Sequence, residues 1–253
     1  MLLEMRFRSN ELKMETHVNV ILPETNGCVN TPCKTLWLLH GLSGDHTSWT
    51  KNTSIERYAN EHNIAVIMPG VGRSWYTNTA YEANYFDFVA KELPELCRSV
   101  FQGLNTKRED TIVAGISMGG YGALRMAMRH PESFGAAVSF SGAFDLEGVG
   151  RYLETLHVRG PHVWGPIANM PKEKWDLVVL AQQALNQGAE LPKLMMSCGT
   201  EDYTLEINRK MKADLKALGI ELTYEEHPGE HNWDYWETHI QRALDWLPLR
   251  RGY

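Results

Sequence analysis

The stretch from Thr111 to Arg129 constrains the fold more than any other part of the sequence. Its first residues, up to Ala114, have the β-branched and apolar character of a buried strand, and the run from Ala123 onward is rich in good helix formers. Between the two runs a Gly-x-Ser-x-Gly motif places Ser117 at a turn from strand to helix. This stretch therefore predicts an α/β fold with a serine at the carboxyl end of a strand.

Ser117 is a candidate nucleophile, because a strained turn of this kind exposes the serine hydroxyl. Side chains at Gly115 and Gly119 would collide with neighbouring backbone, which accounts for the flanking glycines. The following helix directs its first N–H groups and the positive end of its dipole at the same point, where they stabilise charge on a substrate oxygen. The motif is short, so a glycine-rich turn before an ordinary helix is the alternative.

Short apolar runs alternate with helix-length segments along the chain, a pattern typical of a mainly parallel sheet flanked by helices. The runs are Thr35–Leu39, Ile64–Met68, Thr111–Ala114, Ala137–Phe140 and Leu194–Met196. Helices are predicted at 54–61, 85–101, 118–130, 205–218 and 233–247. Residues 3–9 and 17–22 predict two further strands that join the sheet in antiparallel fashion.

The 253 residues predict a single domain, 1–253, because no composition shift or low-complexity linker divides them. The connection 142–192 is longer than a crossover requires and predicts a lid or cap over the site. The net charge of −6 is spread along the chain without a basic block, which argues against a nucleic-acid partner. Neither a secretory signal nor a membrane span is recognisable, so we expect a soluble cytoplasmic protein with no membrane partner; a homo-oligomer is left open.

The four cysteines do not have the paired spacing of a metal site, and four thiols in a chain this long do not indicate a disulfide scaffold. They are Cys28, Cys33, Cys97 and Cys198. A bridge between the first two would close a short loop, but free thiols are the expectation. The sequence implies neither a metal nor a cofactor.

A second loop with two glycines, His40 to Gly44, follows the predicted strand 35–39. Its glycines allow backbone N–H groups to turn towards a ligand. In hydrolases with a Gly-x-Ser-x-Gly turn, one oxyanion donor comes from such a loop and the other from the residue after the nucleophile, which gives Leu42 and Met118. His40 then supports the loop, because the general base is expected near the C-terminus. The alternative is a tight turn with a structural histidine.

A serine hydroxyl needs a neutral imidazole to accept its proton and a carboxylate to orient that imidazole. In this class the order along the chain is serine, acid, histidine. Of the ten histidines, only His227, His231 and His239 lie beyond the last apolar core strand. His231 lies in a loop before a helix and is the predicted base, whereas the other two, at a strand end and within a helix, suit packing or surface roles.

The predicted acid is Asp202, which follows the strand at 194–198 and lies where a carboxylate can reach the histidine loop. Asp202 is preferred to the neighbouring Glu201. Asp145, after the preceding strand, is the main competitor. Asp234 is interpreted instead as a helix-start residue that binds free N–H groups.

Together these motifs resemble the esterase D-type α/β hydrolases and, within them, the bacterial tributyrin esterases. The resemblance covers nearly the whole chain and includes Ser48-Trp49 and Trp75-Tyr76-Thr77, which are similar to residues flanking the acyl site in that group. It implies an α/β-hydrolase fold with a lid-like insertion and assigns roles to eight residues. These are the triad Ser117, Asp202 and His231, the oxyanion donors Leu42 and Met118, and the substrate contacts Trp49, Trp75 and Tyr76.

The leading prediction is a cofactor-independent serine carboxylesterase that hydrolyses short acyl esters, acetyl to butyryl, through an acyl-enzyme. A small-molecule ester is the expected partner. Large rings at Trp49, Trp75, Tyr76 and Trp164 would shorten the space for an acyl chain, unless these tryptophans simply fill the core.

Three alternatives remain at this stage. One is a thioesterase of the S-formylglutathione hydrolase type, although those enzymes typically carry cysteine at the position of Gly44 and histidine at that of Tyr121. Another is acyl transfer, in which an alcohol other than water intercepts the acyl-enzyme. The third is a non-catalytic binding module that retains the fold without the chemistry.

Overall fold

The computed structural model of the protein describes residues 1–24, 32–80, 83–155, 163, 165 and 171–249. Eight strands among these residues form one sheet: β1 Leu2–Arg8, β2 Glu15–Ile21, β3 Lys34–Leu39, β4 Ile64–Pro69, β5 Thr111–Ile116, β6 Ala136–Phe140, β7 Lys193–Gly199 and β8 Leu222–His227. Their order across the sheet is β1-β2-β4-β3-β5-β6-β7-β8. The strands from β3 to β8 are parallel, whereas β1 and β2 are antiparallel to their neighbours, which confirms the predicted arrangement.

The α-helices in the described part of the chain are α1 Ser48–Asn52, α2 Ile55–Glu61, α3 Tyr85–Asp87, α4 Leu93–Val100, α5 Met118–Arg129, α6 Leu146–Thr155, α7 Lys172–Trp175, α8 Leu177–Asn186, α9 Leu205–Ala217 and α10 Trp233–Trp246. A π-helical turn, Phe88–Glu92, joins α3 to α4. Pro94 lies at the start of α4 and has no N–H for a regular helical hydrogen bond, and the π-helical turn directly precedes it. The predicted helix 85–101 is therefore continuous from residue 85 to residue 100 but irregular in its middle.

The core lies on both faces of the sheet, because the central strands are buried on both sides. In β5, all six residues are buried; Val113 packs in one cluster, whereas Ile112 and Ala114 pack in the other. One cluster includes side chains of α4, α5, α8 and α9, and the other includes side chains of α1, α2 and α10. By contrast β1, at the edge, alternates exposed with half-buried residues.

The parallel direction of the strands brings the predicted site residues to one edge of the sheet. The oxyanion loop follows β3, Ser117 follows β5, Asp202 follows β7 and His231 follows β8. The carboxyl ends of parallel strands point the same way, so these four segments share the edge where ligands bind in such folds.

The connection 142–192 contains structure that the sequence analysis did not predict. Its last part holds α8, which packs on α5 and crosses from β6 to β7. Asp176 caps this helix by accepting hydrogen bonds from the backbone N–H groups of Val178 and Val179. Residues 156–162, 164 and 166–170 lie outside the described residues, so the lid stays a prediction.

Two of the cysteines, Cys97 and Cys198, are free and buried, and burial raises the pKa of each thiol to about 12. Cys33 is disulfide-bonded, which corrects the expectation of a free thiol at this position. Cys28 lies outside the described residues. Within the described ranges, none of the helices combines the length and the apolar character that crossing a membrane requires.

Candidate active site

Ser117 lies between β5 and α5 with backbone angles φ 53° and ψ −115°. A positive φ is unusual for a residue with a side chain and costs about 1–3 kcal/mol unless the surroundings enforce it. Here the Ser117 N–H donates to the Phe140 carbonyl at 2.9 Å, and the Ser117 carbonyl accepts from the N–H groups of Tyr121 and Ala143 at 3.1 and 3.2 Å. The neighbouring strand and the first helical turn therefore hold the strained backbone in place.

The two flanking glycines are required by close backbone contacts. A Cβ on Gly115 would lie 2.4 Å from the Gly119 carbonyl oxygen, and a Cβ on Gly119 would lie 2.6 Å from the carbonyl oxygens of Leu39 and His40. Neither backbone can yield without moving β3 or α5. The predicted steric role of both glycines is confirmed.

The loop His40–Gly44 packs directly on this turn. A Cβ on Gly41 would lie 3.6 Å from the Ser117 Cβ, so the loop is in contact with the serine. The first residue of α5 is Met118, and the first N–H groups of a helix have no partner in a preceding turn. The backbone N–H groups predicted for the oxyanion hole, those of Leu42 and Met118, thus belong to two segments that meet at Ser117.

His40 supports the loop, as predicted. Its Nε2 accepts from the Val71 N–H at 3.1 Å, so Nδ1 carries the proton and donates to the Gly41 carbonyl at 2.7 Å. The side chain is only 1% exposed, and burial lowers the pKa of His40 to about 4. A neutral, fully bonded imidazole of this kind is a structural element of the loop.

Asp202 and His231 are brought together across the loops after β7 and β8. Both carboxylate oxygens of Asp202 lie 3.0 Å from Nδ1 of His231, and the Thr204 N–H and hydroxyl each donate to Asp202 at 2.7 Å. Burial opposes the charge on Asp202, but the hydrogen bonds from His231 and Thr204 outweigh burial and lower the pKa of this carboxyl. Asp202 is therefore an ionised acceptor that orients the imidazole.

The competing acids have other contacts. Asp145 accepts from the Gly148 N–H at 2.9 Å, at the start of α6. Glu201 ties down the histidine loop, because its N–H donates to the Gly229 carbonyl at 3.1 Å and its carboxylate accepts from the Gly229 N–H. Asn232 rather than Asp234 caps α10, since its side chain accepts from the Tyr235 N–H at 3.2 Å.

The other two C-terminal histidines have the packing and surface roles predicted for them. His227 ends β8 and lies 3.2 Å from a carboxylate oxygen of Glu225. His239 is buried in α10 and donates from Nδ1 to the Tyr235 carbonyl at 2.7 Å. His231 is thus the histidine of this group that meets Asp202.

The aromatic residues expected at the acyl site are buried and do not form one cluster. Trp75 and Tyr76 pack on the α5 face of the sheet, whereas Trp49 packs on the opposite face. The Tyr76 hydroxyl donates to the His40 carbonyl at 2.9 Å, so this ring supports the oxyanion loop from the core. Trp164 lies outside the described residues. Trp49, Trp75 and Tyr76 are all buried in the core, and their role as substrate contacts stays a prediction.

Trp49 is connected to the candidate base through two other tryptophans. Its ring meets Trp233 edge to face at 5.2 Å, Trp233 meets Trp236 at 5.2 Å, and Trp236 meets His231 at 5.0 Å. The Trp236 indole N–H also donates to the hydroxyl of Ser141 at 3.0 Å. An aromatic wall therefore runs from the core to the face of the imidazole.

Sequence reasoning missed Tyr203, Thr204, Trp236 and Ser141. Tyr203 is 78% exposed, yet its ring lies 4.4 Å from that of His231. The only signal for Thr204 was its place two residues after Asp202, where an Asx turn forms. No local pattern marks Trp236 or Ser141 as neighbours of the site, because both are brought there by α10 and β6.

One group among the described residues has the donors for a metal ion. Glu4, His17 and His46 place three ligand atoms within 4.8 Å of one another. The Glu4 carboxylate lies 3.0 Å from Nδ1 of His17 and 3.7 Å from Nε2 of His46. None of these residues belongs to the predicted triad, and acyl transfer at Ser117 requires no metal.

The pKa of His40 makes a testable contribution to the pH dependence of stability. The unfolded histidine binds a proton below about pH 6.5 and the folded one only below about 4, so stability falls as the pH is lowered through this window. The loss amounts to about 3 kcal/mol for this group. Urea unfolding between pH 4 and 7 should show a clearly smaller pH dependence for His40→Gln, whose amide oxygen can still accept from Val71. The same change at the partly exposed His130 is the control, and equal slopes in all three proteins would contradict the role of His40.

Comparison with known proteins identifies the family of the chain. Residues 9–247 match the Esterase family. An acetyl esterase from Caldicellulosiruptor saccharolyticus is 31% identical over 265 residues, which cover 97% of each chain. The solved structure of the fluorophosphonate-binding serine hydrolase F of Staphylococcus aureus, with substrate bound, is 34% identical and superimposes with a TM-score of 0.90 over 98% of both chains.

A second solved structure from Staphylococcus aureus, an S-formylglutathione hydrolase without ligand, is 33% identical with a TM-score of 0.88 over 98% of both chains. The fold, a mainly parallel sheet with helices on both faces, is shared with these enzymes. The protein belongs to the Esterase family, and it is a serine hydrolase of carboxylic ester bonds with the α/β-hydrolase fold.

Proposed function

We propose that the protein hydrolyses short-chain acyl esters, acetyl to butyryl, through an acyl-enzyme formed on Ser117, with His231 as base and Asp202 as the orienting acid. The observation that carries the proposal is the Asp202–His231 pair at 3.0 Å, on the sheet edge where Ser117 is held in a strained turn. The similarity to an acetyl esterase supports a small acyl group. We include in this proposal that, within its family, the protein is most similar to the bacterial tributyrin esterases.

In the first half of the reaction, His231 takes the proton of the Ser117 hydroxyl as the oxygen attacks the ester carbonyl. Asp202 accepts from Nδ1 of His231, which leaves Nε2 free to act as the base and stabilises the imidazolium that forms. The imidazolium then protonates the alcohol as the carbonyl–oxygen bond to it breaks. In the second half, water attacks the acyl-enzyme, His231 takes a proton from that water, and Ser117 leaves with the proton returned.

The tetrahedral intermediate places a negative charge on the former carbonyl oxygen, and the N–H groups of Leu42 and Met118 are proposed to bind it. Donors fixed before the reaction stabilise this charge without reorganising, and the loss of one such donor in comparable enzymes costs about 10²–10³ in kcat. The hydrogen bonds of His40 hold one donor segment, and α5 holds the other.

Two features favour an ester over a glutathione thioester. A Cβ on Gly44 would lie 2.6 Å from the Ser48 hydroxyl, and this hydroxyl already accepts from the Asp45 N–H at 2.8 Å. A cysteine at position 44 would therefore displace Ser48. Tyr121, at the other differing position, is fully buried and donates to the Trp175 carbonyl at 2.9 Å. Thioester hydrolysis remains the second candidate, since one relative is an S-formylglutathione hydrolase.

The tryptophan wall next to His231 motivates the limit on acyl length. The rings of Trp236, Trp233 and Trp49 pack on one another and are rigid. Each methylene of the acyl chain that fits beside them therefore adds about 0.8 kcal/mol to binding, until a further methylene has to distort the packed rings. Specificity is therefore expected to fall abruptly rather than gradually.

A fluorophosphonate probe should label Ser117 stoichiometrically, and Ser117→Ala should lose both the label and about 10⁴–10⁶ of ester turnover while staying folded. Ser141 is a matched control, because it is also buried with a positive φ of 50° at the end of a neighbouring strand, but its hydroxyl is bound to Trp236. Mass spectrometry of the labelled peptide should find no label at Ser141. Label on another residue, or turnover retained by Ser117→Ala, would refute the assignment of the nucleophile.

Replacing Asp202 with Asn should lower kcat by about 10⁴ with little change in KM, because an amide stabilises the wrong imidazole tautomer. Asp145→Asn, which alters only the acceptor at the start of α6, should change kcat less than about threefold. Steady-state kinetics on one nitrophenyl ester decides between them. The reverse ranking would move the acid role to Asp145.

The acyl-length limit is tested with nitrophenyl esters from acetate to palmitate and the thioester analogues of the short members. The unmodified protein should prefer acetyl to butyryl esters, and Trp233→Leu should move the maximum of kcat/KM to longer chains by thinning the wall. Trp246→Leu, on the same helix but hydrogen-bonded to Thr223, is the control and should leave the profile unchanged. If kcat/KM of the unmodified protein did not depend on acyl length, or was highest for long chains, the proposed length limit would be wrong, whereas the proposed triad would be unaffected.

A further inference from the structure

Arg125 is a buried cation that the esterase chemistry does not use. It lies on α5, eight residues and so about 12 Å along the helix from Ser117, and its side chain is 5% exposed. Its Nε and Nη1 atoms have no hydrogen-bond acceptor among the described residues, and no carboxylate of those residues forms an ion pair with it. Three of its five N–H donors are therefore unused.

The contacts of Arg125 offset only part of the free-energy cost of burying its charge. Its guanidinium lies over two rings, 4.7 Å from the centre of Phe86 and 4.9 Å from the centre of Trp175. Burial lowers the pKa of Arg125, and the nearby Tyr121 hydroxyl opposes that shift. Cation–π contact recovers a fraction of what a charge loses when it leaves water, and buried charges are normally paired with an opposite charge.

The same arginine lines a cavity of about 640 Å³ between α5, α7 and the loop after β4. Four cationic side chains border it: Lys91, Arg125, Arg129 and Lys174. The one carboxylate among its described lining residues, Asp87, already binds Lys91 at 2.7 Å and the Asn78 amide. His130, also in the lining, lies 3.1 Å from Glu132. The described residues that line the cavity thus carry excess positive charge.

We propose that this cavity is a binding site for a small organic anion, with a carboxylate or phosphoryl group held by Arg125 and assisted by Arg129 and Lys174. Arginine suits both groups, because its planar donors pair with two oxygens at once, and contact with the two aromatic rings restricts the position of the guanidinium. A cavity of this size holds a small metabolite rather than a bare ion. The oxyanion supplies counter-charge beyond that of Asp87, the one carboxylate among the described lining residues.

The site is separate from the ester site. Tyr121 lies between Ser117 and Arg125 on α5, is fully buried, and donates to the Trp175 carbonyl at 2.9 Å. The rings of Trp75 and Tyr121 pack edge to face, with their centres 6.0 Å apart. The anion therefore approaches from the α7 side, and the proposal stands whether or not the acyl chain length proposed above is correct.

Calorimetric titration with inorganic phosphate and with succinate, at an ionic strength held constant with sodium chloride, tests the site. We expect saturable binding of at least one of the two anions at a 1:1 ratio. Arg125→Gln should weaken it by about tenfold or more, and Lys174→Gln by less, because a buried charged hydrogen bond is worth more than an exposed one. Arg57→Gln is the matched control, since Arg57 also lies over a ring, that of Tyr58 at 4.8 Å, but outside the cavity.

The outcomes separate the two ligand groups and the competing explanation. Binding of phosphate alone assigns a phosphoryl group, and binding of succinate alone assigns a carboxylate; each supports the site. Circular dichroism and the kcat/KM for a neutral ester check that Arg125→Gln is folded, and kcat/KM is expected within about twofold of that of the unmodified protein. If Arg125→Gln does not fold, the double variant Arg129→Gln with Lys174→Gln is titrated in its place. Absence of saturable binding to the unmodified protein, or equal binding by these variants, would overturn the proposal and leave Arg125 as a ring-stacked core residue.

Discussion

The candidate site depends on one close approach between two pieces of backbone. The start of α5 lies so near the end of β3 that a Cβ on Gly119 would fall 2.6 Å from the carbonyl oxygens of Leu39 and His40. This contact holds Ser117 in its positive-φ conformation and places the loop after β3 against it. The segments of Leu42 and Met118, 76 residues apart in the sequence, thereby meet at Ser117, and the strain at Ser117 is maintained by the packing around it.

A second close approach brings Asp202 and His231 together. A Cβ on Gly199 would lie 2.0 Å from the Gly229 carbonyl oxygen, so the loops after β7 and β8 touch through backbone alone. Glu201 locks the two loops with hydrogen bonds to Gly229, and this brings His231 to the carboxylate of Asp202. The neighbouring acids thus divide two tasks: one holds the loop, and the other orients the imidazole.

Buried polar groups in this protein fall into two kinds. His40 and Asp202 are buried with their hydrogen-bonding capacity in use, so their charge states are defined and they hold the catalytic loops in place. Arg125 is buried with part of that capacity unused. Among the described buried side-chain atoms without a hydrogen-bond partner, those of Arg125 belong to a cationic group, and this is the physical basis for the anion site.

The sequence by itself determined the α/β architecture, the two antiparallel strands at the start, the turn at Ser117 and the choice of His231, because these depend on local patterns and on chain order. Apolar runs and glycine spacing encode backbone conformation and burial, which act within a few residues. Tertiary structure alone shows which of Asp202, Glu201 and Asp145 contacts His231, since all three follow strands and only packing determines which carboxylate meets the imidazole. It likewise separated Trp49 from Trp75 and Tyr76 on opposite faces of the sheet, and it brought Tyr203 and Trp236 next to His231. It also surrounded Arg125 with rings from α3 and α7 and with cations from the π-helical turn, α5 and α7. Contacts of this kind join residues far apart in the chain, and their distances are set by how the helices pack on the sheet rather than by any pattern along the sequence.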